Sequence, residues 1–210
     1  MLGTSGNLSI LISELRAPSS ELRFLITASG KDKGELTEDD FILVNGLDVI
    51  ARSETTKQSA NATHNEIASS GLRLPRNDIN KPSAETLLHS AIYKHTGAKA
   101  IFHVHTTNST LLSMKSKDNV VFSDLEMLKG LDFKTHDVKV TIPIIENSQN
   151  MKYLASIAPG YINEEVPGLL LKGHGIYAWG NSVQETKRHV EIFEFLLEYR
   201  VKELNLESRV

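Results

Sequence analysis

Residues 100–108 read AIFHVHTTN, an apolar run of the kind that forms a buried strand, yet it carries His103 and His105 two positions apart. Side chains at i and i+2 of a strand project from one face, and the chain rises about 3.3 Å per residue. The two imidazoles therefore stand side by side, which suits convergence on a single ion. Thr106, Thr107 and Asn108 end the run, so the pair belongs at the lip of a sheet rather than deep inside it. His174, between Gly173 and Gly175, is a third candidate, because glycine permits backbone angles and close approaches that other residues resist. Three imidazoles with an open fourth position have the form of a catalytic zinc site, not a closed structural one. The competing reading is that one His-x-His pair arises by chance among 8 histidines. His64, His89, His95, His136 and His189 fall in loops or on helices and read as structural or solvated.

The metal reading is narrowed by what the chain lacks. There is no cysteine, so thiolate zinc sites, disulfides and cysteine nucleophiles are excluded. Any ion must be held by imidazole, carboxylate or carbonyl groups. The net charge of -3 comes with acids and bases interspersed and no basic stripe, which argues against a nucleic-acid partner. The start, MLGTS, lacks the charged and apolar regions of a signal peptide. No apolar run approaches the ~20 residues that span a bilayer. The expectation is a soluble, cytoplasmic protein with no membrane partner. At 210 residues the chain forms one domain, 1–210, and buries roughly 70% of its unfolded surface without needing a staple.

Periodicity and turn chemistry predict strands over 8–15 and 22–27, a helical turn over 37–40 and another apolar run over 41–44. Residues 52–81 are crowded with Ser, Thr and Asn and read as a long surface loop. A helix begins at Pro82 and ends before Gly97. The histidine strand follows, then a helix over 107–114, a strand over 120–122 and a short helix over 123–129 stopped by Gly130. Next come a strand over 138–145, with Pro143 placing its end near a sheet edge, and a helix over 151–158. A hairpin-like pair, 169–171 and 176–179, flanks Gly173-His174-Gly175. A long helix from Ser182 to about Leu206 opens with a capping box, Ser182-x-x-Glu185. The fold class is α/β with a mainly antiparallel sheet.

Two carboxylates compete for the role of general base. Glu126, in Ser123-Asp124-Leu125-Glu126, is otherwise a helix cap. Glu85, on the first turn after Pro82, is otherwise a favourable charge at a helix N-terminus. Three small-residue turns, GTSGN at 3–7, ASGK at 28–31 and Pro82-Ser83, offer backbone N–H groups to an anion, although each taken singly reads better as an ordinary turn.

Taken in order, GTSGNLSI, ITASGKDK, KPSAETLLHSAIY, IFHVHTTNS, LEMLKGL, IPIIEN and GHGIYAWG resemble the class II aldolase family, the aldolase/adducin fold, over nearly the whole chain. TASGKDK, EMLKG and PIIEN are most similar to the family's dehydratase branch. The resemblance implies a three-layer α/β/α fold and Zn2+ held by His103, His105 and His174, one ion per subunit. It implies Glu126 as the catalytic acid/base, with Glu85, which matches the catalytic acid of the family's aldolases, as the other candidate. It implies a phosphate site drawn from Asn7, Ser29, Gly30 and Ser83. The activity implied is removal of water from 5-methylthioribulose 1-phosphate in methionine salvage, by a homotetramer with sites near subunit contacts. The alternatives are a zinc-dependent sugar-phosphate aldolase or epimerase, and a non-catalytic adducin-like interaction domain. Two departures stand out. Family members usually carry a helix before the Gly-Asn motif, here only a few residues after Met1, so either the start is truncated or another element covers that edge. The 52–81 stretch is also longer than is usual.

Overall fold

The computed structural model describes residues 6–12, 22–29, 35–45 and 82–208. The 52–81 stretch, Gly30 and His64 lie outside the described residues. Within them the chain forms eight strands: β1 Gly6–Leu11, β2 Arg23–Thr27, β3 Phe41–Asn45, β4 Ala100–Val104, β5 Asn119–Phe122, β6 Val140–Ile145, β7 Gly168–Leu171 and β8 Gly175–Gly180. The helices are α1 Thr86–Thr96, α2 Thr107–Lys115, α3 Met151–Ile157 and α4 Val183–Glu207. The strands join one sheet in the order β3-β2-β1-β4-β8-β7-β6-β5, and only the β6–β7 pair is parallel.

Alternation sorts each strand's side chains onto two faces, and each face carries its own core. On one, Phe24, Ile26, Ile101, Leu169, Leu171 and Tyr177 pack against Leu88, Ile92 and Tyr93 of α1 and Leu154 of α3. On the other, Phe122, Ile142, Leu170 and Ile176 pack against Val190, Phe193, Leu196 and Leu197 of α4. The result is three layers. Positions 190, 193, 196 and 197 recur at helical spacing, so α4 turns one apolar stripe to the sheet. Full burial of side chains such as Phe193 and Leu196 stabilises by about 1.5–3 kcal/mol each.

β1 inverts the usual pattern. Its fully covered residues are polar, Asn7 and Ser9, and face His89 and Tyr93 of α1, while Leu8 and Ile10 are only half-buried. An apolar-inward reading of this strand assigns its faces the wrong way round.

Several boundaries differ from expectation for local reasons. Pro82 does not open α1; it forms a bridge with Ala28, and the helix starts at Thr86 after a turn. Gly97 does end it, at φ 65°, with its N–H donating to the Tyr93 carbonyl. The helix expected over 123–129 is a 3-10 segment, Glu126–Leu131, because Asp124 takes a positive φ of 59° and breaks the chain there. Gly130 lies inside that segment, and Asp132 (φ 69°) ends it. Ser182 caps α4 through the Glu185 N–H at 3.0 Å, but the Glu185 carboxylate reaches the Asn181 N–H rather than closing the box on Ser182. Pro143 lies in β6, one strand in from the edge strand β5.

Candidate metal centre

Cross-strand register assembles the site. His103 in β4 lies opposite Asn7 in β1 and Tyr177 in β8, so the three side chains form a row across neighbouring strands on the α1 face. The strand ends one residue later at Val104. Thr106 then caps α2, accepting from the Ser109 N–H at 3.1 Å, so the chain turns immediately after His105. His174 comes from the β7–β8 turn. Gly173 adopts φ 64° there, and its N–H donates to Ser113 Oγ at 3.0 Å. A Cβ at Gly175 would stand 2.4 Å from the Val104 carbonyl oxygen and 3.0–3.1 Å from the rings of His105 and His103. Glycine at 175 is thus required by the packing of the histidines themselves.

The N-terminus of α1 places Glu85 over this row. Its Oε2 accepts from Asn7 Nδ2 at 2.7 Å and from the Tyr177 hydroxyl at 2.5 Å. Its two oxygens stand 3.3 Å from His103 Nε2 and 3.3 Å from His174 Nε2. Glu85, His103, His105 and His174 each offer an atom, and these atoms lie within 4.8 Å of one another.

The protonation states fit a cation. His103 Nδ1 sits 3.0 Å from the Ile176 carbonyl, which can only accept, so that nitrogen carries the proton. Burial pushes the His103 pKa down to about 3, so Nε2 presents a bare lone pair 2.8 Å from His105 Nε2 and facing Glu85. Burial lowers His105 as well. Burial opposes ionisation of Glu85, yet His103 and the hydrogen bonds from Tyr177 and Asn7 hold its carboxyl below the ordinary value. His174 Nδ1 is buried with no hydrogen-bond partner among the described residues. Lone pairs and a carboxylate crowded this closely repel unless a positive ion lies among them. Imidazole and carboxylate donors suit zinc or another borderline divalent ion.

The other sequence candidates fall elsewhere. The Ala28–Pro82 bridge brings together the turns that carry Ser29 and Ser83. Ser29 is exposed, and Ser83 Oγ accepts weakly from the Glu85 N–H at 3.3 Å. Asn7, expected at a phosphate, has its side chain engaged by Glu85 and His89. Glu126 does not join the histidines of its own chain, nor does it cap a helix. It is exposed, ion-paired with Lys129 at 2.7 Å and 3.7 Å from His136 Nδ1. The topology explains this. Leu171, just before the His174 turn, lies across from Ile145, whereas Phe122 lies across from Val140, five residues down β6. That is roughly 16 Å of strand, at the far end of the sheet.

Sequence reasoning missed Tyr177 and His89. Tyr177 stacks on His103 with centroids 4.0 Å apart, and only strand register, which the sequence does not display, could have found it. His89 was legible only as four residues beyond Glu85, on the same helix face. A second group, Asp132, Glu185 and His189, also gathers ligand atoms, but the Arg188 guanidinium holds Asp132 at 2.7 Å.

The chain matches the family model "Class II Aldolase and Adducin N-terminal domain" over residues 1–201. It is 42% identical over 199 residues to a methylthioribulose-1-phosphate dehydratase of Persephonella marina, covering 93% of this chain and 79% of that one. It is 38% identical over 209 residues to the enzyme of the same name from Bacillus subtilis, covering 99% and 87%. Among solved structures it resembles an L-fuculose 1-phosphate aldolase, with TM-score 0.66 and 21% identity over 97% of this chain and 78% of that chain. This last likeness concerns the fold alone. No helix among the described residues is long and apolar enough to cross a membrane. On the extent of the family match and the identity to these relatives, the chain belongs to the class II aldolase/adducin family.

Proposed function

We propose that the chain is a zinc-dependent hydro-lyase, a methylthioribulose-1-phosphate dehydratase acting in methionine salvage in the cytoplasm. The observation that carries the reading is the convergence of Glu85, His103, His105 and His174 within 4.8 Å, in a chain 42% identical to a dehydratase of that name. His103, His105 and His174 would hold the ion, with Glu85 facing it from α1. A bound divalent ion supplies Lewis acidity that polarises the substrate's C2 carbonyl and acidifies the proton on C3. Ser29 and Ser83, on the turns that the Ala28–Pro82 bridge brings together, would receive the phosphate, with Gly30 and Asn7 as the other residues proposed for it.

Glu126 is the acid/base in this reading. Its carboxylate takes the C3 proton, the C4–O bond breaks, and the departing hydroxyl takes that proton back from the Glu126 carboxyl and leaves as water. The enol so formed ketonises to 2,3-diketo-5-methylthiopentyl 1-phosphate. Because Glu126 and the histidines lie at opposite ends of one subunit's sheet, Glu126 serves the site of a neighbouring copy, which requires an oligomer such as a homotetramer. The contact between Glu85 and the histidines supports a second reading, a sugar-phosphate aldolase or epimerase with Glu85 as the acid/base.

Turnover of 5-methylthioribulose 1-phosphate and of fuculose 1-phosphate, before and after Glu126→Gln, separates them. The dehydratase reading predicts water loss from the first substrate, reduced about 10²–10⁴-fold in the variant. Aldol cleavage that survives Glu126→Gln overturns it.

A further inference from the structure

Behind Glu85 lies a chain of buried polar groups. Asn7 Nδ2 donates to Glu85 Oε2 at 2.7 Å, and Asn7 Oδ1 meets His89 Nε2. His89 Nδ1 meets Ser9 Oγ at 2.7 Å, and Ser9 Oγ meets the Tyr93 hydroxyl at 2.8 Å. Ser9 and His89 are wholly buried, and Asn7 and Tyr93 nearly so.

The polarity of this chain is forced. If the Asn7 amide were flipped, its carbonyl would face the Glu85 carboxylate, acceptor against acceptor. With Nδ2 toward Glu85, Asn7 Oδ1 needs a donor, so His89 carries its proton on Nε2. His89 Nδ1 then accepts from the Ser9 hydroxyl, and Ser9 Oγ accepts from the Tyr93 hydroxyl. Each group has one consistent orientation, and every donor points toward Glu85. Tyr177 supplies the second donor to the same oxygen, which also stands 3.3 Å from His103 Nε2, while Oε1 faces His174.

We infer that His89 is a positioning residue of the metal centre: by fixing the Asn7 amide it holds the Glu85 carboxylate in place, with Oε2 3.3 Å from His103 Nε2 and Oε1 3.3 Å from His174 Nε2. It touches neither the ligand atoms nor the substrate. Groups that orient ligands from behind commonly contribute about 10–100-fold in metal affinity. The inference rests on reading the centre as a metal site.

The test is the Zn2+ dissociation constant of the full chain, measured by chelator competition, beside thermal unfolding of the metal-free protein. His89→Leu removes the donor to Asn7, and His89→Gln restores an N–H of similar reach. Ile92→Ala removes a buried side chain from the same helix without touching the chain of hydrogen bonds. The inference predicts affinity weakened about 10–100-fold in His89→Leu, largely recovered in His89→Gln and unchanged in Ile92→Ala at a comparable loss of melting temperature. Equal affinities in His89→Leu and wild type overturn it, as does an equal weakening in Ile92→Ala, which would make the effect one of stability alone. If His89→Leu fails to fold, His89→Asn, whose shorter amide falls short of Asn7, takes its place with the same two outcomes. A wild-type chain that binds no divalent ion overturns the metal reading itself, a result distinct from either.

Discussion

Tyr177 lies flat against His103, ring centroids 4.0 Å apart and planes within 15°, while its hydroxyl donates to Glu85 at 2.5 Å. One residue of β8 thus fixes the plane of an imidazole from β4 and the position of a carboxylate from α1. Removing only the hydroxyl separates the two roles. Tyr177→Phe keeps the stack and leaves Glu85 Oε2 with one donor, so Zn2+ affinity is expected to fall about tenfold with the fold intact, measured by chelator competition and circular dichroism.

The placement of Glu126 at the far end of its own sheet predicts complementation. His105→Ala and Glu126→Gln are each expected to be inactive alone. Mixed oligomers made by co-expression would contain sites with an intact histidine set from one copy and an intact Glu126 from its neighbour. Random assortment of equal amounts gives about a quarter of wild-type turnover. Mixed oligomers without activity would contradict a site shared between copies.

Gly175 permits the close approach of the two histidines. In Gly175→Ala the new methyl meets the Val104 carbonyl and both rings. The expected result is destabilisation of about 1–3 kcal/mol by denaturant unfolding, with loss of bound metal.

Acid should destabilise the metal-free protein through its buried rings. Burial pushes the His89 pKa down to about 4 and that of His103 to about 3, from an ordinary value near 6.5. A histidine whose folded pKa is depressed protonates first in the unfolded chain, so stability is full above about pH 6.5 and falls as pH drops toward 4. His89 alone accounts for about 3 kcal/mol over that window. Denaturant midpoints at pH 7 and pH 5 check this, and stability that rises on acidification would contradict the assignment.

Much of the site was legible in the sequence because of simple periods. His103 and His105 share a face through the strand's period of two, and the glycines around His174 mark a turn at any register. The mainly antiparallel sheet was legible from the strand patterns and their turn residues, whereas its three layers came only as what the family resemblance implied. Relations set by register and strand direction were not. That Asn7, His103 and Tyr177 form a row depends on the β1–β4 and β4–β8 pairings, to which no local pattern points. That Glu126 lies far from the histidines depends on a parallel β6–β7 pair. The inward polar face of β1 misleads a pattern reading, because its partner His89 sits 80 residues from Ser9.

If His103, His105 and His174 hold an ion that the reaction requires, removing one of them must remove metal and turnover together. The most direct test is metal content of the purified chain and of His105→Ala, with dehydration of 5-methylthioribulose 1-phosphate followed on the same samples. The expected result is about one zinc per chain and turnover in the wild type, with both lost in the variant. Turnover that persists in a metal-free His105→Ala chain would contradict it.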